Sequence, residues 1–347
     1  MNGLTRIRSV LNGELPDRTP VFPLVHYGTS HAAGYTIKDF STDAEINAQC
    51  LIHGYRTCGY DGVQPAVAVM VEGEAVGGKA EYPDDNVPFV KEVFLKTPDM
   101  DLLEMPDPRS ATGAMPLIIE STRICAAEIG NEAYISPIIM GPLNSASQIR
   151  GVESLMFDFM DRTEFAEELL DFTTELGIRY GKALLDAGAH GIFIGEAICS
   201  PVFISPEWYR KYVLARQRQL IDALFDYGAH SIILHICEDT VPIMENYAVD
   251  TGASIIDLDW KVDVGKALAS PALKDASTLV RGNLNPAAAL FTGTPEQVLD
   301  ASRRLIESVG KTHRFILGSG CTMNPDSLPE RTQAMVAASE RYGRFDM

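Results

Sequence analysis

Along this chain, short strand-like runs alternate with longer stretches whose apolar positions recur at helical spacing. The runs are Val21–Val25, Asp61–Gln64, Tyr134–Met140, Ile192–Ile194, Ile232–Leu234, Ile255–Leu258, Leu279–Gly282 and Phe315–Leu317. Most are apolar without a break, which predicts parallel strands covered on both faces rather than strands with one wet side. Three share a lead-in: Gly188-Ala189-His190-Gly191, Gly228-Ala229-His230-Ser231 and Gly252-Ala253-Ser254 each precede a run, a recurring helix-to-strand unit. Between runs, Ser205-Pro206-Glu207 with Gly228, and Thr294-Pro295-Glu296 with Gly310, mark the start and end of two helices. Thr42-Asp43-Ala44-Glu45 has the spacing of a capping box and opens a helix reaching roughly Cys58.

About eight short strands separated by helices predict an α/β fold, a single (β/α)8 TIM barrel over residues 1–347, with a doubly wound open sheet as the alternative. Residues 1–20 form an N-terminal extension, a short helix stopped by Pro16-Asp17-Arg18-Thr19-Pro20. The Gly-, Pro- and Asp-rich stretch 71–108 is an insertion after the second strand, expected to cover one mouth of the barrel.

Composition narrows the partners. With 46% hydrophobic residues in 347, the chain can build a large core. A formal net charge of -18 and no local basic patch predict no nucleic-acid partner and no anionic membrane surface. The basic amino terminus lacks a following apolar stretch, and no run is long enough to span a bilayer, so a cytoplasmic location is expected. Six scattered cysteines in a chain of this size point to reduced thiols rather than a disulfide framework.

In a barrel of this kind the chemistry collects where the strands end. His235 and Cys237 stand two residues apart at the end of Ser231–Leu234, so both side chains fall on one face of a strand. Cys321 closes the last run through Gly318-Ser319-Gly320. An imidazole and two thiols suit zinc, and three protein ligands with an open fourth position is the catalytic pattern. Asp257 and Asp259 follow the next strand and either offers a carboxylate, with Asp259, nearer the loop, the expected further ligand. Glu196 ends another strand and is a candidate to orient substrate or act as a base, while His26, Tyr27 and Asn144 are the expected cofactor-binding positions.

Several stretches resemble the uroporphyrinogen decarboxylase superfamily. They are Val10-Leu11-Asn12-Gly13-Glu14-Leu15-Pro16-Asp17-Arg18-Thr19-Pro20-Val21, the loop Gly141-Pro142-Leu143, the helix start Ser205-Pro206 with Tyr209 and Tyr212, and Asp259-Trp260-Lys261-Val262-Asp263. The resemblance covers nearly the whole chain and implies a (β/α)8 barrel. The decarboxylases of that superfamily carry an arginine-bearing segment after the first strand; here the place reads His26-Tyr27-Gly28-Thr29-Ser30, without arginine. The spacing of His235, Cys237 and Cys321 is similar instead to the zinc-dependent methylcobamide:thiol methyltransferase branch. That likeness implies Zn2+ on those three residues, with Asp259 in the place of a further acidic ligand. It also implies methyl transfer from methylcobalamin, carried by a separate corrinoid protein, to a small thiol such as coenzyme M. A uroporphyrinogen-type decarboxylase and a non-catalytic zinc-containing module that binds a corrinoid protein are the alternatives.

Overall fold

The structure, a computed structural model, describes residues 1–67 and 70–345. Its strands are β1 (Gly62–Val63), β2 (Lys79–Glu81), β3 (Phe89–Glu92), β4 (Tyr134–Ile135), β5 (Ile138–Met140), β6 (Ile192–Gly195), β7 (Ile232–Ile236), β8 (Ile255–Leu258), β9 (Leu279–Leu284) and β10 (Phe315–Ser319). Strands β5 to β10 run side by side in chain order, all parallel. Strands β1 and β4 form a parallel pair of their own, joined to the run through Ile138 N–H, which donates to Pro65 O at 3.1 Å.

The segment at Val21 closes the ring. It bridges Leu317 of β10 on one side, and on the other its carbonyl accepts Asp61 N–H at 2.7 Å. Val21–Val25 is therefore a barrel stave although only Val21 pairs as a strand residue, because Pro23 has no N–H to give a ladder. Pro137 breaks the third stave into β4 and β5 in the same way. With these pieces joined, eight staves close a (β/α)8 barrel among the described residues.

Helix boundaries match their signals with one exception. Ser205 and Thr294 cap their helices, and Gly310 at φ 67° ends the second. The helix Ala44–Cys58, however, is capped by Asp43, whose carboxylate accepts the Glu45 and Ile46 N–H groups. Thr42 belongs to the preceding helix Ile37–Thr42, where its hydroxyl donates to Lys38 O. The capping box lies earlier, at Thr36 and Asp39.

Two apolar layers result. One lies between the strands and the surrounding helices; the other fills the barrel interior with Phe22, Tyr134, Ile233, Ile255, Leu279 and Ile316. The helix Gly3–Leu11 adds Ile7 and Val10 to the interior layer, near the strand starts, and leaves the opposite end open. Stretch 71–108 holds the helix Val71–Ala75 and the antiparallel pair β2–β3. No helix among the described residues is long and apolar enough to cross a membrane.

Asp61 fastens the helix Gly3–Leu11 to the barrel. Buried to 1% exposure, it pairs with Arg6 of the first helix and, at 3.2 Å, with Arg18, and it accepts Val21 N–H at 2.6 Å. Removing it leaves the buried Arg18 guanidinium without its ion-pair partner and Arg6 with Asp17 alone. Asp61→Ala should cost about 3–5 kcal/mol of stability, read as a lowered urea midpoint at unchanged slope.

Candidate metal centre

The parallel register builds the site as a row. His235 on β7 pairs with Asp257 on β8, and Asp257 pairs with Arg281 on β9. His235 Nδ1 lies 2.9 Å from Asp257 Oδ2 and 3.2 Å from the Asp257 carbonyl oxygen. Asp257 Oδ1 lies 3.1 Å from Arg281 Nη1. Both carboxylate contacts are ion-pair contacts set off the ideal hydrogen-bond angle. Arg281 has no exposure; its Nε donates to Phe22 O at 2.6 Å, and its guanidinium sits 5.2 and 5.4 Å from the ring centres of Phe22 and Phe193. Such a charge is held by ion pairing, one backbone acceptor and two aromatic faces instead of water.

With Nδ1 turned to Asp257, Nε2 of His235 faces the open end of the barrel, 3.2 Å from Cys237 Sγ. Cys321 arrives from the turn after β10. A side chain at Gly320 would put its Cβ 2.4 Å from Trp260 N, so glycine is what lets this turn press against the loop after β8 and deliver the thiol. The ligand atoms of His235, Cys237 and Cys321 all lie within 4.8 Å of one another. Burial works to lower the His235 imidazole, but the Cys237 charge and bonds to Asp257, Cys237 and Cys321 outweigh it and hold it well above its ordinary value. The hydrogen bond from Cys237, with His235, holds the Cys321 thiol well below its ordinary range despite burial, while the same bond and burial push Cys237 up. A thiolate is thus already favoured here. An imidazole fixed through its second nitrogen and two soft sulfurs at this spacing fit a zinc ion.

Beside the three donors opens a cavity of about 410 Å³. His26 and Tyr27 line it, and so do Val71, Glu72 and Val87 from stretch 71–108. His26 holds φ at +39°, a left-handed conformation costing a non-glycine residue on the order of 1–2 kcal/mol. Burial, with the Arg281 charge, lowers its imidazole to about 4, so it is neutral near pH 7. The Tyr27 hydroxyl donates to Val67 O.

Other sequence candidates lie elsewhere. Asp259 is outside the three-residue group; its Oδ1 accepts Lys261 N–H at 3.0 Å, and its carbonyl accepts Asn283 Nδ2 at 2.8 Å, so it shapes its own loop. Glu196 does not line the cavity. It is fully buried under the helix Pro142–Arg150, accepting Leu143 N–H at 3.2 Å and Asn144 N–H at 3.1 Å, with the Cys199 thiol 3.1 Å away. Asn144 also lies off the cavity wall. Three residues with site roles escaped the sequence reading: Asp257 as the orienting partner of His235, Arg281, and Glu72. Arg281 carried a signal, an arginine inside the apolar run Leu279–Gly282; Glu72 stands in a polar-rich stretch and carried none.

A profile of the uroporphyrinogen decarboxylase (URO-D) family matches residues 3–342. The chain is 28% identical over 346 residues, covering 97% of each sequence, to the methylcobamide:CoM methyltransferase MtbA of Methanosarcina acetivorans. It is 23% identical over 309 residues, 87% of this chain and 84% of the relative, to the uroporphyrinogen decarboxylase of Carboxydothermus hydrogenoformans. Among solved structures, a methyltransferase from Methanosarcina mazei superposes with a TM-score of 0.89 at 23% identity, covering 99% of both chains.

Two outcomes follow from the buried carboxylates. Asp257→Asn removes the carboxylate that orients His235 and should weaken the binding of added zinc about 10- to 100-fold, measured by competition with a chromogenic chelator. Burial raises Glu72 from 4.5 to about 7, against the hydrogen bond from Met140 N–H. A raised carboxyl stabilises fully below its unfolded value and loses that contribution as pH rises through the folded one. Relative to the parent, Glu72→Gln should therefore gain on the order of 2–3 kcal/mol between about pH 5 and about pH 8, read from paired denaturation curves at equal metal content.

Proposed function

The chain belongs to the uroporphyrinogen decarboxylase (URO-D) family, and from that premise we propose that it is a zinc-dependent methyltransferase, moving a methyl group from a methylated corrinoid protein to a small thiol. The observation that carries this reading is the gathering of His235, Cys237 and Cys321 at the wall of a largely apolar cavity, open at the strand-end face of the barrel. Relatives named methylcobamide:CoM methyltransferases support it, and coenzyme M is the thiol that their name carries. A porphyrinogen bearing several carboxylates would meet no Lys or Arg among the described residues that line this cavity, which weighs against decarboxylation.

Zinc held by the three donors would supply the Lewis acidity that lets a thiol give up its proton near neutral pH. The chain's own residues do the rest. Asp257 keeps the His235 ring in one orientation, and Arg281 holds Asp257 in place. In this reading Asp259 holds its loop instead of the metal, and Glu196 holds the helix Pro142–Arg150 instead of touching substrate. The cavity wall, with Ile138, Met140 and Phe193, excludes water from the reacting sulfur. The acceptor sulfur bonds to the methyl carbon as the cobalt–carbon bond breaks; the bonding pair stays on cobalt and the thiol proton passes to solvent.

A corrinoid protein needs a surface to dock on around that mouth. Val202 and Phe203 after β6, Val241 after β7, Trp260 after β8 and Leu328 after β10 are large apolar side chains left exposed on strand-end loops. Exposed apolar groups of this kind mark interaction surfaces, and they support docking from the strand-end side.

The zinc-loaded protein should demethylate methylcobalamin in the presence of a thiol, followed by the cobalamin absorbance change. Cys237→Ser and Cys321→Ser should each lose bound zinc and at least about a hundredfold of that activity. Undiminished transfer by the metal-free double variant overturns the reading.

A further inference from the structure

Glu72 is 1% exposed, stands on the helix Val71–Ala75 and lines the same cavity as the three metal-ligating side chains. Its Oε1 accepts Met140 N–H at 2.8 Å, while Oε2 has no hydrogen-bond partner. His26, on the same wall, leaves Nε2 without a partner as well. Around these two groups the wall is apolar, with Val67, Val71, Ile118, Ile138, Met140 and Phe193. Among the described residues no Lys or Arg lines it. The nearby guanidinium of Arg281 is not on the wall; it faces Asp257, the Phe22 carbonyl and two aromatic rings, and its Nη1 and Nη2 have no hydrogen-bond partner.

A buried acceptor without a partner is costly, and a ligand that brings a donor to it recovers that cost. An anionic ligand end does the reverse. A sulfonate or carboxylate would leave water for an apolar wall without a charge-assisted donor, and would stand near a buried acid. An ammonium beside Glu72 would draw its carboxyl, raised by burial, back toward the ionised form.

We propose that the acceptor received by this cavity is a small thiol whose far end is a hydrogen-bond donor, an aminothiol in the favoured case, met by Glu72 Oε2, and that thiols ending in a sulfonate or carboxylate are discriminated against. The proposal rests on the methyl-transfer reading and narrows it. Coenzyme M, a sulfonate thiol, is then a poor acceptor for this chain even though relatives are named for it. Glu72 is the selectivity residue, while the chemistry stays with the metal-ligating group.

The test uses the zinc-loaded full chain, methylcobalamin, and three thiols of matched length: cysteamine, 2-mercaptoethanol and 2-mercaptoethanesulfonate. The expected kcat/KM for cysteamine exceeds that for the sulfonate by about tenfold or more. In Glu72→Gln the ratio should fall to within about threefold, through a raised KM for cysteamine. Glutamine keeps an oxygen for Met140 N–H, and comparing ratios cancels the intrinsic reactivities of the three thiols; zinc content and thermal midpoint confirm that the variant is folded. Calorimetric binding of the same thiols to both proteins reads the selectivity without turnover. A cysteamine preference in binding that Glu72→Gln removes supports the inference even where no thiol accepts a methyl group, an outcome that would instead overturn the methyl-transfer reading. A preference for the sulfonate, or a ratio that Glu72→Gln leaves unchanged, overturns the inference.

Discussion

Arg281 is a guanidinium with no access to solvent, and the geometry of the candidate metal centre depends on how its charge is met. Water cannot compensate it, so Asp257 must, and Asp257 in turn faces His235. The three residues stand on consecutive strands at paired positions, so closure of the barrel in this register is what assembles the row. A one-residue slip of β8 would turn Asp257 to the other face, leaving Arg281 without its counter-charge and His235 without its Nδ1 partner. Register, charge compensation and ligand orientation are therefore one constraint. The imidazole enters the site already fixed through Nδ1, with Nε2 presented beside Cys237.

Strain gathers where the strands give way to the site. Two non-glycine residues among those described hold left-handed backbone, His26 at φ 39° and Glu238 at φ 71°. The first lines the cavity and the second follows Cys237 directly. Glu238 is tied to Lys261 on the neighbouring loop, so the turns after β7 and β8 are joined by a charge pair above the buried row. Stretch 71–108 brings Val71, Glu72 and Val87 to the cavity, and in this way supplies the one acidic side chain on its wall among the described residues. The result is a site with soft ligands at one side, apolar walls, and polar atoms at His26 and Glu72 still lacking partners.

Much of the architecture can be read from residue order because a parallel barrel repeats one local rule. Each stave is an apolar run buried on both faces, and glycine or a capping residue punctuates the helices between them, so strand and helix signals are strong and regular. The family resemblance reaches the same barrel by a separate route, and the profile match over residues 3–342 agrees with it. The places where reading and structure part are local competitions. Pro23 and Pro137 shorten staves by withholding a donor, and Asp43 takes the cap that Thr42 was expected to supply because its carboxylate reaches two N–H groups while the threonine hydroxyl bonds back to Lys38.

For the site, residue type and spacing alone were enough to bring out His235, Cys237 and Cys321, since soft ligands are rare and strand periodicity tells which neighbours share a face. Roles held by carboxylates were not legible in this way. Asp257, Asp259, Glu196 and Glu72 are all acids near strand ends or in the stretch after β1, and their chemistry is set by what surrounds them in space. One orients a histidine, one shapes its loop, one caps a buried helix, and one waits on the cavity wall. A candidate ligand is legible in its side-chain type, whereas the duty of a buried acid is fixed by burial and, for Asp257, Glu196 and Glu72, by partners that lie tens of residues away in the chain and meet only when the barrel closes.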